Sequence, residues 1–145
     1  MSEPQAILSL VTLGVSDLKR SIEFYEALGF HRKAKGAGGV GFFQAGAGAF
    51  AVWPLGELAK DVNVKANGPP AFRGVALAWN CRSESEVDAA VERARAAGGT
   101  VPKAPQKTFW GGYAGYFADP DGHLWEVAHN PGFPLTPDGR LTFPD

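Results

Sequence analysis

Glu126 stands four residues after the turn Asp119-Pro120-Asp121-Gly122, with His123 before it and His129 after it. His31 and Cys81 are the remaining imidazole and thiol groups of the chain. A carboxylate between imidazoles could ligate a divalent metal or move a proton. Spacing argues against the first use, because residues 126 and 129 of one strand project to opposite faces and His123 falls in the turn. His31 follows the first helix, away from these groups. The three histidines therefore read as surface or hydrogen-bonded side chains. One cysteine can build neither a disulfide framework nor a multi-cysteine zinc site. Glu126 remains as the candidate acid or base; the alternative is a carboxylate held by hydrogen bonds to Thr12 or Asn80, or solvated at a groove.

The elements that must position it are legible as patterns. Ile7 to Val15 alternates as a strand with Val11, Leu13 and Val15 inward. Ser16 reads as an N-cap, and Leu18, Ile22, Tyr25 and Leu28 follow at helical spacing until Gly29. Val40 to Gln44 and Ala49 to Trp53 are short strands between glycine-rich breaks. Leu58 to Phe72 is a polar, proline-bearing connection. The pattern then restarts: Val75, Leu77, Trp79 and Cys81 on one strand face, Ser83 with Glu86 as a capping box, a helix ending at Gly98-Gly99, and strands Gly112 to Ala118 and His123 to His129.

A strand, a helix and several strands thus occur twice, which marks a duplicated supersecondary unit. The reading is one domain over residues 1–145, with module one at about 5–58, a linker at about 59–72, module two at about 73–130 and a C-terminal strap at 131–145. Side-by-side packing predicts a curved sheet around a groove. Leu10, Thr12 and Gly14 would face that groove from module one, and Ala76, Ala78, Asn80, Leu124, Glu126 and Ala128 from module two. Phe43, Trp53, Trp110, Tyr113 and Tyr116 are the rings placed to line it, while Trp79 and Trp125 turn toward the helices. Thr108 to Tyr116 reads as a mobile lip or an ordinary glycine turn. The strap is expected to bury Phe133, Leu135, Leu141 and Phe143 against its own chain or a partner.

With 14 Lys+Arg against 15 Asp+Glu and no basic run, the 145-residue chain offers no electrostatic reason to bind nucleic acid or an anionic membrane. No apolar run approaches membrane-spanning length and no signal-peptide pattern is visible, so a cytoplasmic protein is expected.

Three segments, Ser9 to Phe30, Gly74 to Gly99 and Gly115 to Pro131, together resemble the vicinal oxygen chelate superfamily, which includes glyoxalase I, bleomycin- and fosfomycin-resistance proteins and extradiol dioxygenases. The resemblance implies an α+β fold of two βαβββ modules forming a curved mixed sheet around a small-molecule cleft, often in a homodimer. It also implies where metal-dependent members carry ligands: at Leu10, within Phe50 to Trp53, at Ala76, and at Glu126. Only Glu126 has a donor, so no metal or other cofactor is expected. Three functions follow as expectations. The first is a metal-free protein holding a small organic molecule through Thr12, Phe43, Trp53, Asn80, Trp110, Tyr113 and Tyr116. The second is a glyoxalase-like lyase or isomerase in which Glu126 moves a proton while Thr12, Asn80 or Tyr116 polarises oxygen. The third is a metal-dependent lyase or dioxygenase with non-standard ligands.

Overall fold

The computed structural model describes residues 4–66 and 71–145. Strand β1, Val11–Val15, presents Leu13 and Val15 to the core, as its alternation predicts. Residues 7–10 do not extend it: Ile7 and Leu8 are exposed. Helix α1, Leu18–Ala27, is capped by Asp17 rather than Ser16, the carboxylate accepting from the Arg20 N–H at 3.1 Å. An anionic cap there also meets the positive end of the helix dipole. Strands β2, His31–Lys33, β3, Gly41–Ala45, and β4, Gly48–Pro54, complete module one. The connection expected to be irregular begins with a short helix α2, Leu55–Asp61. Residues 67–70 of the expected linker lie outside the described residues.

Module two repeats the plan with β5, Ala76–Asn80, α3, Glu84–Ala96, β6, Thr100–Lys107, β7, Tyr113–Ala118, and β8, Leu124–His129. Ser83 caps α3 by accepting from the Glu86 N–H at 3.2 Å, and Glu86 returns to the Arg82 N–H at 2.7 Å. Its acids Glu84 and Glu86 lie in the first turn and Arg93 and Arg95 in the last, the order the dipole favours.

The architecture is α+β, two βαβββ modules of identical strand order, β1-β4-β3-β2 and β5-β8-β7-β6. In each sheet the first and last strands pair in parallel and the others antiparallel. Within one chain the two sheets stay separate, each with its first strand at an edge.

What joins them is a single core filled from the helix-bearing faces of both modules. Phe50 of β4 meets Trp125 of β8 edge-on at 5.4 Å, and Phe24 of α1 meets Phe117 of β7 at 6.3 Å. Tyr25 is fully buried at the centre, and its hydroxyl donates to the Asp119 carboxylate at 2.6 Å while accepting from the Trp125 indole N–H at 3.1 Å. The other Asp119 oxygen accepts from the Asp121 and His123 backbone N–H groups at 2.9 and 2.8 Å. Burial lifts the Asp119 carboxyl above its ordinary range, although the Tyr25 hydrogen bond and the charge of His123 pull it back down. The same turn reaches module one twice. Asp121 accepts from the Ser16 N–H at 2.8 Å, and His123 Nε2 lies 2.7 Å from the Gly14 carbonyl, which can only accept, so that nitrogen carries the proton.

The C-terminal strap packs in cis as a small hairpin, with a bridge between Leu135 and Leu141 and the Arg82 guanidinium donating to the Thr136 and Pro137 carbonyls at 2.8 and 3.2 Å. Phe133 packs edge-on against Phe143, yet Phe133, Leu135 and Leu141 are only half-buried and Phe143 is exposed, so the expected burial of these four side chains is partial at three and absent at the fourth. Among the described residues no helix is long and apolar enough to cross a membrane.

Tyr25→Phe removes one proton donor from a buried carboxylate and one acceptor from a buried indole. We expect a loss of about 1–3 kcal/mol in denaturant titration at neutral pH. Without its donor, Asp119 holds its proton to still higher pH in the folded state. The deficit therefore shrinks as pH falls and the carboxyl protonates; a deficit independent of pH would contradict the network.

Candidate functional site

The outer face of the second sheet collects the polar groups that the core excludes. Register places Ala78, Glu126, Tyr116 and Lys103 in one row across β5, β8, β7 and β6. The adjacent row reads Asn80, Ala128, Ala114 and Gln106. A carboxylate, a phenol and an ammonium group thus stand side by side over a floor of alanines, which leaves depth above the sheet. Tyr116 donates to Glu126 Oε2 at 3.3 Å, the partner that neither Thr12 nor Asn80 supplies. Burial first, and then the neighbouring carboxylate, raises the Tyr116 phenol above its ordinary value, so it stays a donor at neutral pH.

The β6–β7 turn forms the wall. Thr108 N–H donates to the Gly112 carbonyl at 3.0 Å, Gly112 N–H returns to Thr108 Oγ1 at 3.0 Å, and Gly111 adopts a φ of +88°. This turn brings the indole of Trp110 against Gly112, where a Cβ would lie 1.8 Å from indole Cζ3. Phe109 beside it is wholly exposed. The result is a cavity of about 300 Å³ lined chiefly by Lys103, Gln106, Trp110, Ala114, Tyr116 and Glu126. Lys107, at its rim, is already paired with Glu84 of α3 at 2.6 Å.

Three of the residues expected from the sequence, Trp110, Tyr116 and Glu126, therefore come together. Asn80 shares their face but opens on a separate cavity of about 380 Å³ beside Phe30, Trp79 and Trp125. Thr12 and Trp53 lie on the outer face of the first sheet, since their register partners Ala51 and Gly14 alternate with core residues. Helix α2 covers part of that face: a Cβ at Gly14 would lie 2.7 Å from Leu55 Cδ1. Two expectations fail. Phe43 is 1% exposed and stacks on Phe50 at 5.0 Å in the core, because it shares that residue's side of the ladder. Tyr113 turns to the helix side and donates to Asp88 of α3 at 2.7 Å. Lys103 and Gln106, missed in the sequence, join the site because β6 pairs with β7.

The cavity that holds Glu126 is walled by module two, whereas a separate cavity of about 260 Å³ is lined from both modules, by Thr12 and Gly14 of β1 and by Val75, Leu77 and Leu124 of module two, so the expected two-module groove exists but Glu126 is not in it. His129 lies beside the Cys81 carbonyl, its Nδ1 at 3.1 Å, and burial pushes the Cys81 thiol up to about 11. The buried thiol is therefore not poised for nucleophilic work at neutral pH.

The positions where the resemblance places metal ligands hold a half-exposed Leu10, Ala76 at the start of β5, and Phe50, Ala51, Val52 and Trp53 of β4. Among the described residues no three His, Cys, Asp or Glu side chains converge. Glu126 is the one carboxylate, imidazole or thiolate lining this cavity, and a phenol and an amide are not the ligands that catalytic divalent-metal sites use, so these residues do not fit such a metal.

Comparison with known proteins adds independent findings. A family model described as the Glyoxalase/Bleomycin resistance protein/Dioxygenase superfamily matches residues 7–127. A glyoxalase-related enzyme from Fulvimarina pelagi is 37% identical, with a TM-score of 0.87 over 97% of this chain and 100% of that one. A glyoxalase/bleomycin resistance protein/dioxygenase from Nocardioides is 28% identical, with a TM-score of 0.72 over 88% of this chain and 85% of that one. A glyoxalase/bleomycin resistance protein from Albidiferax ferrireducens T118 is 27% identical, with a TM-score of 0.67 over 87% and 100%. Among functionally curated proteins, none matches.

Gly112→Ala should drive the Trp110 indole off its seat while leaving the core untouched. We expect altered tryptophan fluorescence and quenching by acrylamide, with a melting temperature within a few degrees of wild type. An unchanged spectrum would show that the indole does not rest on Gly112.

Proposed function

The chain belongs to the glyoxalase/bleomycin resistance protein/dioxygenase superfamily, and from that membership we propose that it binds a small organic molecule, without a metal, on the outer face of its second sheet. The observation that carries this reading is the Glu126–Tyr116 pair set among alanines beneath the Trp110 indole. Alanine gives room, the indole gives apolar area, and the pair offers one acceptor that can fix a ligand's O–H or N–H. Donor chemistry supports the metal-free part: hydrocarbon stands where imidazoles would be needed.

A second reading keeps the same geometry and gives it turnover. Glu126 would take a proton from a carbon beside a carbonyl and return it to the neighbouring atom; once protonated it becomes the donor to the Tyr116 oxygen, which frees the single Tyr116 O–H to turn to the substrate oxygen. The Tyr116–Glu126 hydrogen bond is the observation that favours it.

We further propose that two copies associate. Strands β1 and β5 lie at sheet edges, and Leu8, Leu10, Phe72 and Val75 beside them are exposed apolar side chains. A second copy would cover them and bring another surface opposite the Glu126 face. The lone cysteine, buried and unpaired, accords with a reducing compartment, and we propose the cytoplasm.

Elemental analysis after exposure to nickel, zinc, iron and manganese should find no stoichiometric metal in wild type. Stoichiometric metal that disappears in Glu126→Gln would overturn the metal-free reading. A ligand co-purifying with the protein should keep much of its affinity for Glu126→Gln if the protein only binds. Turnover that falls by orders of magnitude in that variant would establish the second reading instead.

Association is tested separately. Sedimentation should give a dimer for wild type and a monomer for Val75→Glu, with both variants folded by circular dichroism. A monomeric wild type would refute the dimer.

A further inference from the structure

We infer that the cavity beside Glu126 selects a planar, one-ring molecule carrying an anionic group at one end and a hydroxyl at the other, an inference that rests on the small-molecule reading above. Lys103 is the ground for the anion. It stands in the same cross-strand row as Tyr116 and Glu126, with Tyr116 between the two charges. Neighbouring strands are about 4.8 Å apart, which puts the Lys103 and Glu126 backbones roughly 10 Å from each other. Among the described residues Lys103 enters no ion pair, whereas Lys107, two strand turns along, is held by Glu84 on the helix side. The cavity thus presents a free cation and a carboxylate on either side of Tyr116 in one row. They do not neutralise each other.

A ligand complementary to that row must place negative charge toward Lys103 and a proton donor toward Glu126. Trp110 decides the shape of what lies between. Its indole rests against Gly112, is 40% exposed and lines the same cavity, so a flat body meets an apolar ring there. The volume of about 300 Å³ lies at the small end of ligand pockets, enough for one ring with its two substituents. A cationic ligand would face Lys103 with like charge, and a long flexible one would lose more conformational freedom on entering a cavity of this size.

The test uses the full chain and two isosteric probes, 4-hydroxybenzoate and 4-hydroxybenzamide, titrated by calorimetry at low and high salt. The acid should bind at least about tenfold tighter than the amide. Lys103→Met should remove that difference by weakening the acid alone, and Trp110→Ala should weaken both probes. Equal affinity of acid and amide in wild type, or an acid preference that survives Lys103→Met, would overturn the assignment. In that case saturable binding of both, lost in Trp110→Ala, would leave the small-molecule reading standing. Saturable binding of neither probe would overturn the assignment as well, and the metal measurement and co-purified ligand would then judge the underlying reading.

Discussion

A phenol hydroxyl at the centre of an apolar core must find both a donor and an acceptor or cost the fold its desolvation. Tyr25 meets that demand only by crossing between modules. It comes from the helix of module one, whereas Asp119 and Trp125 come from the last turn and strand of module two. Asp119 in turn is held by the backbone of its own turn, so one of its oxygens is tied to the Asp119-Pro120-Asp121-Gly122 segment while the other meets Tyr25. The remaining contacts of that turn, from Asp121 to the Ser16 N–H and from His123 to the Gly14 carbonyl, set the end of β1 against the start of β8. A segment whose acids suggest chemistry is thus a clasp between two halves.

The clasp determines where a ligand can go. With Tyr25, Phe50, Phe117 and Trp125 in one core, both helix-bearing faces are consumed, and each sheet keeps only its outer face for other work. Module one then lays Leu55 and Leu58 of α2 over Gly14 and fills part of its face. Module two leaves its own face open and raises the β6–β7 turn beside it. Duplication produced two similar platforms, and the short helix in one and the aromatic turn in the other made them unequal.

Much of this was legible because burial and period agree. Leu13 and Val15 on β1, the helical spacing of Ile22, Tyr25 and Leu28, and the Ser83 cap each follow a local rule that tertiary packing did not override. The site was harder. Strand β6 reads Thr-Val-Pro-Lys-Ala-Pro-Gln-Lys, whose two prolines and shifts in register hide it, and with it went Lys103 and Gln106. Phe42 and Phe43 adjoin in sequence, so apolarity could not tell which of them faces the core. Tyr113 and Tyr116 are an odd number of residues apart, and one strand cannot send both to the same side. How the modules dock is written in no local pattern. It depends on which faces are most apolar when both halves are present.

Chemistry in this superfamily need not follow from the fold, since one scaffold hosts unrelated reactions. On the proposed reading, the cross-strand row is one way such divergence comes at small structural cost. Placing alanine rather than imidazole at a strand position such as Ala76 leaves the ladder hydrogen bonds intact, because they belong to the backbone. What changes is the balance of charge. A lone carboxylate on an open face is tolerable when half-solvated and hydrogen-bonded, and Tyr116 supplies that bond from the adjacent strand. Lys103, one strand further, adds the opposite charge without collapsing onto it. On the proposed reading, charges that a metal would otherwise dominate are left separated along a row, and separated charges recognise a molecule by its length and polarity as well as its shape.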